Sequence, residues 1–127
     1  MTLAHFTFAT QDAETTAEFF EFVLGWKRLS VPDNADVIAI WLEISPGQQM
    51  HVLQIDGFEV SAFEQEYGRH FAFFFPAADL VKIRVRLAER NIEVIPPLRP
   101  TPFERFFFKD PNGYMFEVID HDHFVVE

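Results

Sequence analysis

LAHFTFAT at residues 3–10 can be laid over GRHFAFFF at residues 68–75, and each is followed by a helix-like segment and then three strand-like runs. A repeat of this kind means two copies of one β-α-β-β-β unit. His5 and His51 are 46 positions apart and His70 and Glu117 are 47 apart. Four residues of metal-ligand type therefore take equivalent places, on the first and last strand of each copy.

Working outward from the first copy, alternation puts Leu3, His5 and Thr7 on one strand face and Ala4, Phe6 and Phe8 on the other. Asp12 is the expected N-cap of a helix in which Ala13, Thr16, Phe19, Phe20, Val23 and Leu24 fall at helical spacing, and Gly25 ends it. That helix should cover the Phe6/Phe8 face and leave His5 on the opposite side. Strand-like runs follow at 26–31, 37–44 and 50–55, separated by the turn formers PDNAD and SPGQQ. Residues 56–69 read as a linker between modules at about 1–56 and 69–120. The second copy should form a strand at 69–75, a helix over 78–90 with Leu80, Val81, Ile83, Val85, Leu87 and Ala88 as its apolar side, and strands at 92–95, 103–109 and 114–119. KDPNGYMFEV, residues 109–118, is the clearest local signal, because Asp-Pro-Asn-Gly is turn chemistry placed directly before an alternating strand. There Met115, Glu117 and Ile119 share a face.

At 127 residues the chain is read as one domain, 1–127, with the repeat inside it. Phe supplies 17 residues, a large apolar area that needs no hydrogen-bond partners. Asp and Glu number 20 against 10 Lys and Arg, so the clustered basic footprint of nucleic-acid binding is absent. With no cysteine, thiolate metal sites, disulfides and cysteine nucleophiles are excluded, which suits a reducing compartment. No basic segment leads into an apolar run, so neither a signal peptide nor a membrane span is expected, and a cytoplasmic protein is the default.

If each helix covers one face of its sheet, the uncovered faces of two related units can curl around a shared cavity, lined by His5, His51, His70 and Glu117. Imidazole and carboxylate suit a divalent Fe, Mn, Co, Ni or Zn ion, and two His plus one carboxylate leave positions open for a chelating substrate. Taken singly, a strand histidine is more often a core or surface residue than a ligand; the matched positions carry the hypothesis. Thr7, on the His5 face, and Phe74, Arg105 and Phe107 are candidates for binding the substrate, with core packing the alternative for the phenylalanines and surface charge for Arg99 and Arg105. His121 and His123 read as a solvated acidic tail. No Gly-rich phosphate loop, nucleophile elbow or zincin motif occurs.

LAHFTFATQDAETTAEFFEFVLGWK (3–27), RHFAFFFPAADL (69–80) and RFFFKDPNGYMFEVID (105–120) resemble the vicinal oxygen chelate superfamily, which includes glyoxalase I, fosfomycin-resistance transferases, extradiol dioxygenases and bleomycin-resistance proteins. The resemblance implies an α+β fold of two paired βαβββ modules forming a curled mixed sheet around a metal-binding cleft. It places His5, His70 and Glu117 on the family's metal positions and His51, within GQQMHVLQI, on its variable fourth one. Glyoxalase I is expected to carry a carboxylate where this chain has His51. The implied protein is a homodimer with one divalent ion and a small-molecule substrate that chelates it through vicinal oxygens, in lyase, isomerase or dioxygenase chemistry. The alternative is a non-catalytic protein of the bleomycin-resistance type that sequesters a small molecule. Catalytic residues beyond the ligands are not assigned.

Overall fold

Alternation and capping build the first unit much as the sequence implies. A computed structural model describes residues 1–33 and 36–127, in two compact units, Met1–Glu59 and Val60–Glu127. The first contains β1 (His5–Thr10), α1 (Ala13–Leu24), β2 (Lys27–Leu29), β3 (Ala39–Ser45) and β4 (Gln48–Gln54). Asp12 caps α1 by accepting from Thr15 N at 3.0 Å, and Gly25 closes it in the left-handed conformation, φ 74°, where a side chain would be strained. The helix buries Thr16, Phe19, Phe20, Val23 and Leu24 against β3 and β4. Phe8 on β1 is buried on this side, while His5 and Thr7 face away and are exposed. Each fully buried phenylalanine contributes about 1.5–3 kcal/mol, so a substitution such as Phe20→Ala would threaten the whole unit.

The strands run in the order β1-β4-β3-β2, with β1 parallel to β4 and the other pairs antiparallel. Across the sheet Thr7 pairs with His51 and His51 with Trp41, so these three form one row on the face opposite α1; His5 and Gln49 form the next row. The strand expected at 26–31 contracts to Lys27–Leu29. The turn expected over PDNAD, 32–36, lies partly outside the described residues.

The second unit contains β5 (Phe71–Phe75), α2 (Ala77–Glu89), β6 (Arg105–Lys109) and β7 (Met115–Asp120), with strand order β5-β7-β6. Again the first and last strands are parallel, and Ala72, Glu117 and Phe107 form a row across them. Both units thus carry their own mixed sheet and a helix, an α+β architecture. The strand expected at 92–95 is reduced to a single bridge between Ile95 and Phe107. The reason is local: Asn91 takes φ 57° at the helix end, and Pro96 and Pro97 have no N–H with which to continue a ladder. A second correction concerns α2, which buries only Leu80, Ile83 and Leu87. Val81, Val85 and Ala88 are exposed, because they lie to one side of that stripe and α2 meets a sheet of only three strands.

The end of the chain is exposed, as expected of a tail, but attached. Pro76 offers α2 no side-chain cap, and Asp122 accepts from Ala77 N at 2.9 Å in its place. Phe124 lies edge-on to Phe74, ring centroids 4.9 Å apart. Among the described residues no helix is long and apolar enough to cross a membrane.

Candidate metal centre

Parity along β1 and β4 puts His5 and His51 on the face of the first unit's sheet opposite α1, in adjacent rows. Their rings stack, centroids 4.1 Å apart and 13° from parallel, and His51 stacks in turn on Trp41 at 3.9 Å and 2°. Imidazole lone pairs lie in the ring plane. Two rings stacked face to face therefore do not aim their nitrogens at one common ion in this arrangement. His51 is buried, and its Nε2 pairs with Gln49 Oε1 at 2.8 Å. Burial, and after it the neighbouring His5, hold His51 below the usual histidine range.

The equivalent pair of the second unit meets differently. Here His70 Nε2 lies 3.1 Å from Glu117 Oε1, and the other ring nitrogen, Nδ1, lies 3.3 Å from the Gln65 carbonyl oxygen. A carbonyl only accepts, so Nδ1 carries hydrogen and donates to it. That leaves Nε2 and an acceptor-only carboxylate oxygen facing each other. They are satisfied together by a second ring proton, or by a cation taking the proton's place. This is the donor set of a carboxylate–histidine metal site, with the remaining ring nitrogen fixed by an outer hydrogen bond. Phe107 is fully buried and meets the His70 ring edge-on at 5.2 Å, which fixes the plane of that ring.

Glu117 Oε2 is also engaged: it accepts from Arg105 NH1 at 3.0 Å. Arg105 NH2 donates to Glu66 Oε2 at 3.1 Å and to the Arg99 carbonyl at 2.6 Å. Burial alone would make it easier for Arg105 to lose its charge, but the bonds to Glu117 and Glu66 outweigh that and hold it protonated above its ordinary range. For Glu66 burial acts in the opposite direction and raises it, and donation from Leu98 N, Arg99 N and Arg105 more than offsets this, so Glu66 is held below the ordinary carboxylate range.

The Glyoxalase/Bleomycin resistance protein/Dioxygenase superfamily pattern matches residues 2–118. The chain belongs to this superfamily. A solved glyoxylase/bleomycin resistance protein/dioxygenase domain from Frankia sp. EAN1pec is similar with a TM-score of 0.77 at 21% identity, over 94% of this chain and 97% of that one. FosX, a fosfomycin resistance protein, from Mesorhizobium loti gives 0.73 at 21% identity over 93% and 90%. A FosX mutant from Listeria monocytogenes, complexed with Mn(II) and 1S,2S-dihydroxypropylphosphonic acid, gives 0.75 at 17% over 94% and 91%. At such identities the likeness is one of fold. Comparison with curated proteins gives no match.

For this glyoxalase-superfamily chain, the structure pairs the expected ligand residues two by two. His70 joins Glu117 within the second unit and His5 joins His51 within the first. Among the described residues, no group of three or more His, Cys, Asp or Glu gathers as a ready metal site. Of the residues expected to meet substrate, Thr7 is exposed on the His5 face and Phe74 is 50% exposed beside His121 and Phe124. Phe107 is buried as the wall behind His70, and Arg105 is buried with both terminal nitrogens committed to protein oxygens. Three site residues escaped the sequence reading: Trp41, Gln49 and Glu66. Trp41 is set opposite His51 by the β3–β4 register, which alternation along either strand alone does not give. Glu66 sits in a polar linker, where nothing in the sequence distinguishes it from Glu59 or Glu64.

Proposed function

We propose that this protein is a divalent-metal-dependent enzyme acting on a small substrate that chelates the ion through two neighbouring oxygens. His70, Glu117 and His5 hold the ion, with His5 supplied by the first unit of this chain or of a second copy in a homodimer. The observation that carries the proposal is the His70 Nε2 to Glu117 Oε1 pair at 3.1 Å, whose outer atoms are already bound to Gln65 and Arg105. Two nitrogen donors and one oxygen donor with open positions suit Fe, Mn, Co, Ni or Zn, and the Mn(II) complex of a FosX mutant that shares this fold supports a divalent ion.

When bound, the ion would supply Lewis-acid polarisation of the substrate oxygens, the step shared by lyase, isomerase and dioxygenase members. The protein's own part is to hold His70 with Nε2 free of hydrogen, to present one oxygen of Glu117, and to keep water from the back of the site with Phe107. Thr7 and Phe74, both exposed, are the side chains we assign to substrate contact. His51 we assign to holding the plane of the His5 ring by stacking, with ligation the competing role. The absence of cysteine supports a reducing, cytoplasmic setting.

The test is elemental analysis of untagged, full-length protein and of His5→Ala, His51→Ala, His70→Ala and Glu117→Ala. Near-stoichiometric metal in the wild type, lost with residue 5, 70 or 117 and retained with residue 51, is the expected result. No ion bound even after reconstitution would defeat the enzyme reading and favour a sequestering protein, whose ligand affinity is indifferent to chelators.

A further inference from the structure

Glu117 is the buried carboxylate of the second unit's paired ligands, and what stands behind it is a buried cation. The Arg105 side chain is only 3% exposed, and it is fixed by three oxygens from separate stretches of chain: Glu117, Glu66 and the Arg99 carbonyl. Its Nε is buried with no partner. A buried donor left unmet costs about 1–3 kcal/mol. The guanidinium is nonetheless held in this orientation by its carboxylates. It gives up Nε and keeps NH1 on Glu117 and NH2 on Glu66.

We infer that Arg105, held by Glu66, is a positioning residue for the metal: it occupies Glu117 Oε2 and so restricts Glu117 to one-oxygen ligation through Oε1, beside His70 Nε2. The inference rests on the metal reading above and adds a role for two residues outside the ligand set. Two effects of Arg105 on a neighbouring cation oppose each other. Its positive charge repels the ion, and its grip on Glu117 pre-arranges the ligand. The carboxylate of Glu66, 3.1 Å from NH2, offsets the first and leaves the second. Lysine cannot replace the guanidinium fully, because a point charge does not bridge two carboxylates with a rigid fork.

The experiment is titration of full-length apoprotein with cobalt(II), read by visible d–d absorption, which reports coordination number and geometry without any turnover. Wild type is compared with Arg105→Lys, with Arg105→Met, and with the double variant Arg105→Met/Glu66→Gln, which removes the buried cation together with one of its counter-charges and so protects the fold. Circular dichroism selects conditions in which each variant is folded. The expected result is a roughly tenfold to hundredfold weaker cobalt(II) affinity and a changed spectrum in the double variant, as for other residues behind a metal ligand, with Arg105→Lys between it and wild type. A folded double variant with the wild-type affinity and spectrum would overturn the inference and leave the metal reading standing. A wild type that takes up no cobalt(II) would overturn both.

Discussion

The two units place their paired residues on one plan and finish them with opposite chemistry. In each, a histidine at the start of the first strand lies diagonal to a residue on the last strand: His5 to His51, and His70 to Glu117. In each, an aromatic on the neighbouring strand faces that last-strand residue, Trp41 in one and Phe107 in the other. Two positions before the aromatic stand Ala39 and Arg105, opposite Leu53 and Ile119. With histidine on the last strand the first unit needs no counter-ion, and it forms a stack of three rings with Ala39 beside it. With glutamate there, the second unit carries Arg105 to neutralise a buried carboxylate. The lesson is that a repeated backbone fixes where side chains meet, and their charge fixes what the meeting is for.

Glu117→Ala should show the largest effect. It leaves buried Arg105 with Glu66 as its one carboxylate, and losing one member of a buried pair costs about 3 kcal/mol; metal content should fall to the level of a blank. Urea unfolding and elemental analysis check it, and retention of full metal content would remove Glu117 from the ligand set. Trp41→Ala comes next, at about 2 kcal/mol, since a partly buried ring loses both its packing and its face-to-face contact with His51. A loss below half that value in urea unfolding would mean the stack contributes little.

The comparison can be broken directly by giving the first unit the chemistry of the second. His51→Glu should destabilise, because Ala39 offers it no cation, and adding Ala39→Arg should recover about 1 kcal/mol. A double-mutant cycle measures that coupling, and a coupling of zero would show that the matching register does not bring these positions together. The smallest effect is a pH slope. Because the fold holds His51 below its unfolded value of about 6.5, the unfolded chain binds a proton first as pH falls. The resulting loss of stability is absent well above that value and grows as pH drops from there toward the lower folded value. Comparing urea midpoints at pH 7.5 and 5.5, wild type should fall more steeply than His51→Phe, which keeps an aromatic ring that cannot titrate. Parallel slopes would count against burial of the neutral ring.

Local signals were legible wherever one physical rule governed a stretch. Asp12, the helical spacing to Leu24 and Gly25 fixed α1, and Asp110 to Gly113 fixed the turn before β7. They failed where two rules met. The run at 92–95 has strand-like residues, but Asn91 and the paired prolines leave it a single bridge. Val81 and Val85 look like a core stripe, and the narrow sheet below α2 leaves them in solvent. At the site, parity along strands gave the faces of His5 and Glu117, but nothing local could say that Arg105, 12 positions before Glu117, would turn inward and be shared with Glu66.

The sequence by itself determined the repeat, the helix ends and the strand faces, because these depend on periodicity and on residues near one another in the chain; its motifs carried the resemblance to the superfamily. Only the tertiary structure decided that His5 and His51 stack while His70 and Glu117 pair, and that Arg105 spends its charge on protein carboxylates. Those outcomes depend on cross-strand register and on which charges are desolvated together, and both are fixed only when distant segments pack.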